Sequence, residues 1–182
     1  MPLQGQVQTE DLFPPNSLCP CGQEKKSKTC KIYNSAYGNV LAVNRVIESE
    51  ASVVWEKMRD PNSYESFTDV LSASTEEDGE GSVVGAKIKL KIKLWKHIPK
   101  IGSKEIISKI DDEKMIISWK KKMQSGYTER PQFIYPLEDG KSCYVTMLVL
   151  PKNFMGKLTY KIMGAQLIKA FDAFSRDLSD SL

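Results

Sequence analysis

Residues 87–95 read Lys-Ile-Lys-Leu-Lys-Ile-Lys-Leu-Trp, and this strict alternation of charged and apolar side chains suits a half-exposed β-strand and little else. Successive side chains of a strand point to opposite faces, so Ile88, Leu90, Ile92 and Leu94 share an inner face while Lys87, Lys89, Lys91 and Lys93 share the outer one. A helix would scatter the same lysines around its axis. One apolar face on a strand requires a second layer to cover it, so the chain must supply a partner layer elsewhere.

The surrounding segments follow the same syntax. Residues 39–49 (NVLAVNRVIES) read as a strand, with Ser49 as the expected N-cap of a helix on which Ala51, Val54, Trp55 and Met58 form an apolar stripe ended by Asp60-Pro61. PNSYESF reads as a second short helical turn. Strands are then expected at DVLSAST, at the lysine-alternating run, at SKEIISKID and KMIISWKKK, and near 127–136 and 142–150, the last two joined by a Glu138-Asp139-Gly140 turn. Pro131 lacks a backbone N–H and places its strand near an edge or a bulge. A long helix over about 157–179 closes the chain, with Tyr160, Gly164, Leu167, Ile168, Phe171, Phe174 and Leu178 on one stripe. It is the natural cover for the sheet.

Composition agrees with a packed domain. The chain has 182 residues, 41% hydrophobic and 27% charged, and its net charge of +3 is too small by itself to mark a nucleic-acid binder. No run approaches the ~20 apolar residues of a membrane span, and the first residues lack the basic and apolar regions of a signal peptide. The expectation is a cytoplasmic protein of α+β class, with a tail over 1–38 and a folded domain over 39–182.

The order of strand, two short helices, about six or seven antiparallel strands in all and a long final helix resembles the START-like (SRPBCC) superfamily, which includes StAR-related lipid-transfer domains and polyketide cyclases. The residues that carry the resemblance are VNRVIESEASVVWEKMRDPNSYESFTDVLS and the closing FDAFSRDL. It implies the helix-grip fold, a curved sheet wrapped around the last helix, and an elongated cavity between them for an apolar small molecule such as a lipid. Candidate ligand-lining residues are Leu94, Trp95, Trp119, Met123, Tyr127, Phe133, Tyr135, Gly164, Leu167 and Phe171, chosen as large or partly polar side chains on the expected inward positions. Gly164 costs ~1 kcal/mol in a helix relative to Ala, so it serves either close packing or ligand space.

Catalytic motifs are absent from the sequence: there is no HExxH, GxSxG, P-loop or GxGxxG, and His97 is the single histidine. The sequence therefore favours a binding module over an enzyme. If the pocket is catalytic, as in the cyclases the superfamily includes, Arg130 with Tyr127 or Tyr135 is the set able to polarise a carbonyl and move a proton.

Cys19, Cys21 and Cys30 stand in NSLCPCGQEKKSKTCKIY, which resembles the SEC-C zinc motif through Cys19-Pro20-Cys21-Gly22, Lys25, Lys26, Lys28 and Cys30. The resemblance implies a structural zinc and a protein or nucleic-acid partner. Lys31 stands where a fourth ligand is expected, leaving water, Cys143 or His97 to complete a tetrahedral site. The outer lysines, Lys87, Lys89, Lys91 and Lys93, suit either a solubilising sheet face or transient contact with an anionic membrane.

Overall fold

The computed structural model describes residues 31–34, 38–75, 83–123, 126–151 and 153–182. Its elements are β1 (Lys31–Asn34), β2 (Gly38–Ile47), α1 (Ala51–Arg59), a 3-10 turn (Pro61–Ser66), β3 (Leu71–Thr75), β4 (Lys87–Ile92), β5 (Ile101–Asp111), β6 (Ile116–Met123), β7 (Gly126–Pro136), β8 (Ser142–Pro151) and α2 (Phe154–Asp180). The strands form one antiparallel sheet of eight in the order β1-β2-β8-β7-β6-β5-β4-β3. The sheet curls into a half-barrel with α2 in its grip.

The expected architecture is present, with one more strand than the upper count. Lys31–Asn34 pairs with Asn39–Ala42 as a new edge, so the sheet begins before residue 39. From β3 to β8 the chain is a plain meander. β2 breaks it, because α1 and the 3-10 turn carry the chain from β2 to β3 at the far edge while β8 returns beside β2. That connection leaves one end of the half-barrel closed. Trp55 Nε1 donates to Asp112 Oδ1 at 3.1 Å, and Arg59 pairs with the same carboxylate at 2.9 Å, pinning α1 to the β5–β6 turn.

Local chemistry explains the boundaries. The lysine-alternating run leaves the ladder after Ile92, where Lys93 N donates to Val70 O and its ammonium pairs with Asp69 at 2.6 Å. β5 shifts register between Ile107 and Lys109, an irregularity of the kind that sharpens sheet curl. Helix α2 starts a turn earlier than its apolar stripe because Asn153 caps it, accepting from Gly156 N at 2.9 Å. The N-cap of α1 is Glu50 rather than Ser49, and its carbonyl accepts from Val53 N and Val54 N without any side-chain cap.

Pro131 corrects a sequence expectation. It lies on β7, an interior strand between β6 and β8, opposite Ser118. The β7–β8 ladder keeps one register from Glu129↔Val149 to Gln132↔Thr146, and Arg130 and Pro131 are the skipped positions. The missing N–H is thus accommodated by a local gap in one ladder rather than by an edge.

Each face of the sheet carries its own apolar cluster. The inner one joins Leu41, Val43 and Ile47 of β2, Ile88, Leu90 and Ile92 of β4, Ile117 and Trp119 of β6, and Leu167, Phe171, Phe174 and Leu178 of α2. The outer one joins Val40, Ala42, Ile116, Phe133, Cys143, Val145, Met147 and Val149.

Candidate functional site

The site is the inner face of the half-barrel, and its two ends differ. At the closed end, Tyr64 fills the space between α2 and the sheet, its ring centroid 5.7 Å from that of Trp119 and 5.2 Å from that of Phe174. Its hydroxyl donates to Met58 O at 2.8 Å. Burial pushes this phenol well above its ordinary range, with the neighbouring Tyr144 adding to the effect. Toward the opposite end several inward residues keep accessible surface, although Leu150 near the end of β8 is fully covered. Trp95, Leu148, Tyr160 and Met163 pack on the inner cluster yet remain half-buried. Met123 and Thr128, inward by alternation with Trp119 and Arg130, are half-buried too, and Ile98 and Ile101 at the rim are exposed. α2 rests on β2 and β8, and the half-buried inward residues lie toward its first turns and the β4–β7 side of the sheet.

A polar cluster sits between these half-buried residues and the packed end. Arg130 is buried, its guanidinium carbon 4.5 Å from the Trp119 ring centroid and 5.8 Å from that of Phe171. Its Nη2 donates to Glu105 Oε2 at 2.8 Å, reaching past β6 to β5, and Ser103 Oγ donates to Glu105 Oε1 at 2.7 Å. Beyond Arg130 on the same face, Tyr144 Oη donates to Gln132 Oε1 at 2.8 Å, and burial raises the Tyr144 phenol strongly.

The structure divides the sequence-derived residues into two sets. Leu94, Trp95, Trp119, Met123, Gly164, Leu167 and Phe171 belong to the inner side. Tyr127, Phe133 and Tyr135 do not: Phe133 belongs to the outer cluster, Tyr135 stacks on it with centroids 5.8 Å apart, and Tyr127 lies under Lys120 at 5.4 Å. The physical reason is parity, because Arg130, Gln132 and Ile134 occupy the inward positions of β7 and the odd-numbered residues must face away. Arg130 therefore shares no pocket with Tyr127 or Tyr135. Glu105, Gln132 and Tyr144 surround it instead, and the available signal was a polar residue at every second position of an apolar strand. At Gly164 a Cβ would lie 3.9 Å from Leu41 and from Tyr160, ordinary contact distance, so the packing of α2 on β2 does not require a glycine there.

Of the outer lysines, Lys87, Lys89 and Lys91 are exposed on β4, and Lys93 is held by Asp69 beyond the strand end. His97 is exposed in the β4–β5 loop, and Cys143 is buried on the outer face. Cys19, Cys21 and Cys30 lie outside the described residues. Among the described residues no three His, Cys, Asp or Glu side chains are placed to hold a metal ion, and no helix is long and apolar enough to cross a membrane.

A curled antiparallel sheet gripping a long C-terminal helix defines the Bet v1-like helix-grip class. Among solved structures, major latex-like protein 151 of Panax ginseng is similar at a TM-score of 0.61 and 15% identity, covering 78% of this chain and 95% of that one. Hypothetical protein jhp0584 of Helicobacter pylori is similar at a TM-score of 0.63 and 9% identity, over 86% of this chain and 99% of that one. A Thalictrum norcoclaurine synthase point mutant, in complex with a transition-state analogue, is similar at a TM-score of 0.55 and 15% identity, over 86% and 99%. At such identities the likeness speaks for the fold alone. No family model matches the sequence. A sequence comparison with characterised proteins likewise gives no match.

Proposed function

We propose that the protein binds an apolar small molecule, of lipid type, in the trough between the first turns of α2 and strands β4–β7. The observation that carries this reading is the gradient along one face. Trp119, Ile117, Phe174 and Leu178 at the closed end are at most 1% exposed, whereas Trp95, Leu148, Tyr160 and Met163, inward residues of the same cluster, retain accessible surface. Covering that surface with a ligand returns ~25 cal/mol per Å² of apolar area removed from water, so a hydrophobic molecule is the fitting occupant. The fold class supports it, since solved members with this architecture include a synthase seen with a transition-state analogue.

Native mass spectrometry of the purified full chain tests the reading. Retained lipid-range mass that leaves on denaturation is the expected result; an empty protein that also fails to take up 1-aminoanthracene overturns it. A second reading, a cyclase- or dehydratase-type reaction in the same trough, draws on the buried Arg130–Glu105 pair. A change in chromatographic retention of the retained molecule after incubation, with loss of water where dehydration follows ring closure, distinguishes it from carriage. Zinc held by Cys19, Cys21 and Cys30 is a separate proposal, tested by the metal content of the reduced protein before and after Cys19→Ser.

A further inference from the structure

Three side-chain N–H groups on the inner face have no hydrogen-bond partner: Trp119 Nε1, Arg130 Nε and Gln132 Nε2. All three residues are at most 4% exposed. They are neighbours by construction, because Trp119 and Arg130 are register partners across β6–β7 and Gln132 is the next inward residue of β7. An unpaired buried donor is costly, and three on one patch is a concentration that ordinary cores avoid. Among the described residues the other unpartnered buried side-chain atoms lie elsewhere, Glu129 Oε2 on the outer face and Ser142 Oγ at the closed end.

We infer that this patch is the anchor for the polar end of the bound molecule, and that this end is an uncharged oxygen acceptor such as a ketone or ester carbonyl; the inference rests on the trough being the binding site. The chemistry of the patch selects the class. Every vacant position is a donor, since the Gln132 carbonyl already accepts from Tyr144 and an indole nitrogen only donates. A carbonyl oxygen accepts two such bonds and has no proton of its own to place. A carboxylate is the wrong match, because the Arg130 charge is already balanced by Glu105, whose second oxygen is taken by Ser103. A further anion at the patch would lie beside Glu105, while the inward cation Lys121, opposite Thr128 on β6, stands one inward position nearer the open end and would draw a carboxylate there instead. Thr128, the inward residue that precedes Arg130 on β7, is half-buried, so accessible inner surface begins one inward position from the patch.

The test is displacement of 1-aminoanthracene from the full chain by three probes of equal length, octane, 2-octanone and octanoate, near pH 8. The expected result is that 2-octanone competes at least tenfold better than octane, about 1.4 kcal/mol, and better than octanoate. In the double variant Arg130→Met/Glu105→Gln, which removes the donor without stranding a charge, the ratio of ketone to octane affinity falls below about threefold. Gln132→Leu gives an independent reading of the same ratio should the double variant fold poorly. Equal competition by the three probes, a preference for octanoate, or a ratio unchanged in both variants overturns the inference while leaving the trough in place. Failure of all three probes, together with failure of the reporter itself to bind, removes the trough and the anchor with it.

Discussion

Arg130 and Trp119 are register partners on β7 and β6, and on the inner face the guanidinium carbon lies 4.5 Å from the indole ring centroid. The charge is therefore held by an aromatic face on one side and by Glu105 on the other, with 5% and 10% of the two charged side chains exposed. Removing one partner of such a pair leaves the other as a buried lone charge. Arg130→Met is expected to lower stability by about 3–5 kcal/mol, whereas Arg130→Met/Glu105→Gln recovers most of that loss. Urea unfolding of the two variants checks this; equal destabilisation by both would mean that packing on Trp119, not charge balance, sets the cost.

Two glycines of α2 predict opposite outcomes on the same substitution. A Cβ at Gly156 would enter the space of the Pro151 carbonyl where the chain reverses from β8, a rigid backbone group that cannot move aside. A Cβ at Gly164 would make only ordinary contacts with Leu41 and Tyr160. Gly156→Ala is expected to destabilise by ~3 kcal/mol and Gly164→Ala to stabilise by up to ~1 kcal/mol through helix propensity. Thermal melts of the two variants decide the point.

Much of this architecture could be read from residue patterns because most strands have one apolar and one polar face. The alternation of Lys87–Ile92 fixed an inner face that the structure keeps, and the stripe Gly164–Leu167–Phe171–Leu178 placed α2 over it. β7 and β8 were ambiguous for the same physical reason in reverse. Ser142–Pro151 is buried on both sides, so alternation carries no parity signal there, and on β7 the aromatic Phe133 and Tyr135 outweighed the polar Arg130 and Gln132 as inward candidates. Burial of an arginine on the inner face depends on Glu105, 25 residues earlier, and a period-two pattern cannot reveal that partner. Strand β1 escaped because four residues are too few for a periodic pattern.

Three buried or half-buried tyrosines are expected to set the alkaline limit of the fold. Burial raises the phenols of Tyr64 and Tyr144 strongly and pushes that of Tyr135 up to about 12, while in the unfolded chain each ionises near 10. A raised folded value means that the native state resists losing the proton, so the stability present below pH ~10 is lost as pH rises through the folded values. The urea midpoint is expected to hold steady from pH 8 to about 9.5 and to fall from about 10 upward, and Tyr135→Phe to make that fall shallower. A midpoint independent of pH up to 12 would show that the phenols ionise without unfolding the chain.

Filling the trough distinguishes ligand space from loosely packed core. Met163 is inward on α2 and half-buried, facing the end of the half-barrel that α1 does not close, whereas Ile162 on the next position is 63% exposed on the solvent side. An indole at 163 takes the space that the proposed ligand would fill, so its added volume is expected to cost little in folding. Met163→Trp is expected to weaken 1-aminoanthracene binding at least tenfold, about 1.4 kcal/mol, while shifting stability by less than about 1 kcal/mol. Ile162→Trp adds the same ring to the outer side of the helix and is expected to leave the affinity within about twofold, which corresponds to ~0.4 kcal/mol. Fluorescence titration with a parallel urea melt reads both quantities. Equal affinity in the two variants would place the reporter outside the grip, and a large stability loss in Met163→Trp alone would mean that the space beside α2 belongs to the core.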